Sequence, residues 1–246
     1  MRKVISDRGE QLLVKSPGNG LYEFRAVLAA YLARTQDIRV RPEQIVVGSG
    51  AEYLYSLIAQ LLPGQVFGLE DPSYEKIRQV YEACGTPCEL LKMNADGIDG
   101  GALARTTATV LHVTPFASYP SGVTASASKR AEYLRFVRQR GGYIIEDNYS
   151  SELTVSRKND DTVFALSGGE NTIYLNTFSE TVAPSLRVGY MVLPERLAAE
   201  FDEKLGFYSC TVPVFEQYLL AELIESGEFE RHLNRIRREK RKAAGK

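Results

Sequence analysis

Short apolar strands alternate with amphipathic helices along most of this chain, and that alternation restricts its fold more than any other feature. Leu21, Phe24, Leu28, Tyr31 and Leu32 recur at helical spacing, which predicts a helix over 21–34. "QIVVG" at 44–48 reads as a buried strand, and "AEYLYSLIAQLL" at 51–62 as a helix stopped by Pro63-Gly64. "QVFGLE" is a strand, and "PSYEKIRQVYEACG" a helix opened by Pro72 and ended at Gly85. "PCELLKM" and "TVLHVTP" are strands, followed by "SASKRAEYLRFVRQRGG", a helix with a serine cap and a glycine stop. "YIIED" is a strand and leads into a polar stretch that runs to Asn171. "TIYLNTF" and "RVGYMVLP" are strands, and three helical segments follow from Glu195. Strand–helix repetition of this kind predicts an α/β fold with a mostly parallel sheet.

The bulk numbers narrow the function. With 44% hydrophobic and 25% charged residues the chain has an ordinary globular composition. A net charge of -1 provides no overall field to draw it to nucleic acid or a membrane surface. No apolar run reaches the roughly 20 residues of a membrane span. The start, "MRKVISDRGEQ", has no apolar core of a signal peptide, so a cytoplasmic location is expected. The three cysteines, Cys84, Cys88 and Cys210, make an odd set with no four-ligand metal spacing. They read as packing residues, and no metal site is expected.

Ligands of open α/β sheets gather beyond the carboxyl ends of the strands. Several of those ends carry polar residues here. Gly48-Ser49-Gly50 lies between a strand and a helix, where free N–H groups can hold an anion or the glycines can simply make a tight turn. The strand 143–145 delivers Glu146, Asp147 and Tyr149 to its end, and a carboxylate buried there needs a cation or a donor. Tyr74 and Tyr119 follow two other strands. In "NTFSETVAPSLRVGYMVLP", at 176–194, Thr177, Ser179 and Arg187 suggest an anion site with Glu180 set in its middle. Acid, aromatic rings, a glycine-rich helix start and a Thr/Ser/Arg turn together suit a flat, phosphorylated heteroaromatic ring.

In this order the motifs resemble the large domain of fold-type I aminotransferases, which use pyridoxal 5'-phosphate (PLP). The resemblance is nearer still to the aminotransferase-like domain of MocR-type regulators of the GntR superfamily. It runs from "GLYEFRAVLAAYL" to "RHLNRIRREKR", and its most specific parts are "IEDNYSSE" and "NTFSETVAPSLRVGYMVLP". It implies a three-layer α/β/α large domain. Asp147 would pair with the ring nitrogen, Tyr149 with the ring hydroxyl, and Tyr74 would stack on the ring. Gly50, Ala51 and Glu52 would form the helix start that cradles the phosphate, with Thr177, Arg187 and Ser179 as further contacts. A homodimer follows from the same resemblance.

The departures matter as much. The Schiff-base lysine of the family falls at Glu180, since "FSK" reads "FSE" here, and Lys158 and Lys204 lie in other segments. A carboxylate cannot link covalently to an aldehyde, and it is a poor proton shuttle at a substrate carbon. The family's "HQ" is Ala117-Ser118, the second aspartate of its "EDD" is Asn148, and glutamine is commoner than Glu52. The expectation is one aminotransferase-like domain over 1–246, without the small C-terminal domain and the N-terminal winged helix-turn-helix. The basic end, from Arg231 to Lys242, reads as a solvated helix, with no direct nucleic-acid contact and no membrane contact. Two functions stay open. One is a non-catalytic module that holds PLP or a PLP–amine adduct non-covalently at most, and the other is a PLP-dependent aminotransferase. A poorly folding fragment with exposed apolar surface is a third outcome.

Overall fold

The computed structural model describes residues 2–149, 151–153 and 161–244. Its elements run α1 (Arg2–Arg8), α2 (Tyr22–Thr35), β1 (Ile45–Gly48), α3 (Ala51–Leu61), β2 (Phe67–Asp71), α4 (Glu75–Ala83), β3 (Cys88–Asn94), β4 (Gly97–Ile98) and α5 (Gly100–Arg105). They continue with β5 (Val110–Val113), α6 (Ala127–Arg140), β6 (Tyr143–Asp147), α7 (Val163–Ser167), β7 (Thr172–Thr177), β8 (Gly189–Val192), α8 (Glu195–Leu205), α9 (Val214–Glu225) and α10 (Glu228–Ala244).

The strands form one sheet in the order β1-β8-β7-β6-β5-β2-β3-β4. The ladders β7–β6, β6–β5, β5–β2 and β2–β3 are parallel, while β8 runs antiparallel to both of its neighbours and β4 to β3. Because β8 opposes both β1 and β7, those two strands point the same way. The carboxyl ends of β1, β2, β5, β6 and β7 therefore meet at one edge of the sheet. Gly48 and Thr177 both pair with Gly189, which fixes the register there.

Period-2 alternation sends successive side chains to opposite faces. Ile45, Val47, Tyr174, Tyr190 and Val192 pack with α2, α9 and α10. Val46, Ile173, Leu175 and Met191 pack with α3 and α8 on the other face. Leu111, Val113 and Ile144 pack with α5 and α6. Helices thus cover both faces, which gives the three-layer α/β/α arrangement. Each fully buried aliphatic or aromatic side chain contributes about 1.5–3 kcal/mol.

The local signals behave as their chemistry requires. Ser126 caps α6 by accepting from the Lys129 N–H, and Gly141 ends it in the left-handed region at φ 63°. Three expectations need correction. Pro72 does not open α4, which starts only after Tyr74 because Tyr74 still has extended backbone at ψ 114°. The polar stretch before Asn171 contains α7, whose start is capped by the Thr162 side chain. Cys84 is exposed, so only Cys88 and Cys210 are even partly packed. Lys158 lies outside the described residues. Among the described residues no helix is long and apolar enough to cross a membrane.

Candidate functional site

The shared carboxyl edge holds a pocket of about 300 Å³, near the small end for small-molecule sites. Five strand ends supply its walls. Ala51, Glu52 and Tyr55 come from the start of α3, and Tyr74 and Ile77 from the segment after β2. Thr114 and Tyr119 follow β5, Asp147 and Tyr149 close β6, and Thr177, Ser179 and Glu180 close β7. Arg187 precedes β8. Of the ten residues that the resemblance assigns to the site, Glu180 included, nine line this pocket. The tenth, Gly50, lies against it: at φ 90° it caps α3, and a Cβ there would stand 2.7 Å from the Arg187 guanidinium. Only glycine allows both that backbone conformation and that approach.

Asp147 is 3% exposed. Its Oδ2 accepts the Tyr55 hydroxyl and faces His112 Nε2 at 3.4 Å. The Tyr81 hydroxyl lies 2.8 Å from His112 Nδ1. If Tyr81 donates there, Nε2 carries the proton and points at the carboxylate. Burial, and then the Asp147 charge, hold the Tyr55 phenol well above its ordinary pKa, so it remains a donor. The second oxygen, Oδ1, is buried and has no hydrogen-bond partner. A buried, unpartnered carboxylate oxygen in a pocket wall is costly to keep unless a ligand supplies a donor. Tyr55 and His112 were missed from the sequence, because nothing in a helix interior or a strand marks a residue as a partner of a distant aspartate. Glu146 is the other acid of this strand end, and alternation turns it away. It accepts the Val163 and Phe164 N–H groups at 3.0 and 2.8 Å and anchors α7 rather than the pocket.

The opposite end of the pocket is a set of anion donors that an internal carboxylate already occupies. Glu52 pairs with Arg187, and Lys76 Nζ lies 3.4 Å from its other oxygen. Burial pushes the Glu52 carboxyl up. Its own backbone N–H, Arg187 and Lys76 together outweigh this and hold it below the usual carboxylate range. These are the interactions of an anion at a helix N-terminus, with the anion supplied in cis. Ser179 Oγ donates to the Leu186 carbonyl at 3.3 Å and closes the turn that carries Glu180 and Arg187.

Glu180 is exposed at the mouth and forms no hydrogen bond or ion pair among the described residues. In the pocket wall Tyr74 and Tyr119 meet edge to face, ring centroids 6.2 Å apart. The Tyr149 hydroxyl donates to the Ala117 carbonyl at 3.3 Å. No lysine lines the pocket among the described residues. Lys76 stands beside it, over the Tyr74 ring at 5.9 Å, and Lys204 is paired with Glu200 on α8.

A doubly covered, mostly parallel sheet with an acid, aromatic walls and a helix start beside Arg187 at its carboxyl edge defines an α/β protein with its pocket at that edge. The sequence profile of the aminotransferase class I and II family matches residues 3–244, and the chain belongs to that family. It is similar to YdeL of Bacillus subtilis, an uncharacterised HTH-type transcriptional regulator, at 31% identity over 92% of this chain and 50% of that protein. It is also similar to the HTH-type pyridoxine biosynthesis transcriptional regulator PdxR of Corynebacterium glutamicum, at 29% identity over 91% of this chain and 49% of that protein. Among solved structures, Thermus thermophilus LysN is an α-aminoadipate aminotransferase complexed with N-(5'-phosphopyridoxyl)-L-leucine. It superposes with a TM-score of 0.80 at 28% identity, covering 96% of this chain and 61% of its own. The chain spans about half the length of these curated regulators.

Proposed function

We propose that this chain is the aminotransferase-like, ligand-binding module of a MocR/GntR-type transcriptional regulator. In this reading it holds pyridoxal 5'-phosphate or an amine adduct of it without a covalent lysine link and does not turn over as a transaminase. One observation carries the reading. The pocket keeps a buried carboxylate oxygen in need of a donor, yet the residue at its mouth where the family has lysine is Glu180.

The residues present fit the group. Asp147 Oδ1 would receive the protonated ring nitrogen, and Tyr55 and His112 would hold that carboxylate in place. Tyr149 would reach the ring hydroxyl, and Tyr74 would wall the ring. The start of α3 at Gly50, Ala51 and Glu52, with Thr177, Ser179 and Arg187, would hold the phosphate once the Glu52 side chain swings aside. When bound, the group supplies an electron-accepting ring. Of this chain's own residues, Asp147 would keep the nitrogen protonated and the tyrosines would shield the ring from water. None of the described lining residues offers an amine to move a proton at a substrate carbon. A homodimer and a small amino-acid effector belong to the same proposal.

The alternative is a PLP-dependent aminotransferase acting on an amino acid. Its support is the similarity to LysN and the position of Lys76, an amine at the edge of the pocket. A PLP titration separates the two, followed by tyrosine fluorescence, then borohydride reduction and intact mass. Saturable binding with no retained mass is expected. A reduced adduct on Lys76, or turnover with any amino donor, would establish the alternative.

A further inference from the structure

Three carboxylates line this pocket, Glu52, Asp147 and Glu180, against one lining guanidinium, Arg187. Two of the three are engaged. Glu52 has Arg187 and Lys76, and Asp147 has Tyr55 on one oxygen. Glu180 has no partner among the described residues. The pocket therefore carries an unpaired carboxylate, and its wall also includes two tyrosine rings, Tyr74 and Tyr119, whose faces favour a cation. The unpartnered Asp147 Oδ1, on a residue 3% exposed, independently marks the pocket as built for a donor-bearing ligand.

We infer that Glu180 makes the pocket selective for the protonated-amine form of its ring ligand, a pyridoxamine-type CH2–NH3+ group, over the aldehyde or alcohol form. The inference rests on the function proposed above and names the ligand class of that same site. A carboxylate gives nothing to an aldehyde carbonyl, which is itself only an acceptor. It forms a charge-assisted hydrogen bond with an ammonium group. The replacement that removes covalent chemistry thus creates a recognition element for an amine, and the family's covalent site becomes a non-covalent amine receptor.

The test compares pyridoxamine 5'-phosphate with pyridoxine 5'-phosphate by calorimetry, on the full chain and on its Glu180→Gln variant. The two ligands differ only in an ammonium against a hydroxyl group, and neither forms a covalent link to any lysine. The amine is expected to bind roughly tenfold more tightly to the unaltered chain, because its ammonium adds ionic attraction to the hydrogen bond that a hydroxyl also gives a carboxylate. In Glu180→Gln that ratio should fall towards one, because the amine loses more affinity than the alcohol. Because Glu180 is exposed and unpaired, the variant should fold normally, and its binding of the alcohol is the internal check. Equal affinities in the unaltered chain, or an unchanged ratio in the variant, would overturn the inference and leave the parent proposal standing. If neither ligand binds, the parent proposal falls and takes this one with it.

Discussion

A carboxylate in the first turn of a helix suits the helix dipole but competes with any phosphate that needs the same N–H groups. Glu52 is such a carboxylate, and it also neutralises Arg187 and contacts Lys76. Glu52→Gln keeps the side-chain shape and releases both cations. Affinity for a phosphorylated ring should rise roughly tenfold, about 1.4 kcal/mol, a modest figure because solvent reaches this end of the pocket. The measurement is a pyridoxine 5'-phosphate titration; unchanged binding would mean that Glu52 does not compete with the phosphate, and weaker binding that it helps hold the anion. Asp147 is the reverse case. Asp147→Asn keeps the shape but removes the charge that a protonated ring nitrogen needs, so ring affinity should fall at least tenfold, the lower range for a hydrogen bond to a charged group. The same titration decides it, and an unaltered affinity would remove Asp147 from the site. Residues of this kind were partly legible in the sequence. Asp147 stood out because a carboxylate buried at a strand end needs a partner, and Arg187 and Glu180 because an arginine with hydroxyls suggests an anion site and a carboxylate within one is odd. Tyr55 and His112 did not, because their role depends on β1, β5 and β6 being brought together across the sheet.

Elements were more legible than partnerships. Helices α2, α3 and α6 and strands β1, β6 and β7 follow from periodicity and caps within one or two residues. The start of α4 was misread because proline is a common first helical residue, whereas here the chain stays extended through Tyr74 to bring that ring to the pocket. The end of β2 also carries a pH response. Glu70 is 2% exposed, and its Oε2 accepts the Ser118 hydroxyl at 2.6 Å. Burial pushes its carboxyl up to about 8 against the Ser118 and Thr114 hydrogen bonds. An unfolded glutamate has released its proton above about 4.5, while folded Glu70 keeps its proton to about 8. The folded state therefore binds more protons between those values. Stability contributed by the neutral acid is complete below about 4.5 and is lost as pH rises to about 8. The melting temperature should fall across that window in the unaltered chain and fall less in Glu70→Gln, whose amide retains a hydrogen-bonding oxygen. Equal slopes in the two proteins, followed by circular dichroism, would rule Glu70 out as the source.

At the scale of the whole molecule, the basic final helix is structural on one side and solvated on the other. In α10, Phe229 and Leu233 are 0% and 2% exposed, while Arg231, Arg235, Arg238 and Lys242 face outward. Phe229 packs against Phe178 at 5.6 Å and Tyr31 at 5.5 Å between ring centroids, and Phe178 also meets Phe24 at 6.3 Å. Phe178 is the residue between Thr177 and Ser179, so this aromatic chain joins α2 and α10 to the turn that carries Glu180 and Arg187. Arg237 adds a bond from Nε to the Glu152 carbonyl at 2.7 Å. Removing a fully buried phenylalanine costs about 3–5 kcal/mol. In a chain of this size Phe229→Ala should lower the melting temperature by roughly 10 °C. Because the lost ring supports the turn after β7, ring affinity should weaken as well, at a temperature where the variant is still fully folded by circular dichroism. A lower melting temperature with unchanged ring affinity would mean that α10 stabilises the domain without reaching the pocket. A change in both would tie the last described helix to the ligand site through Phe178.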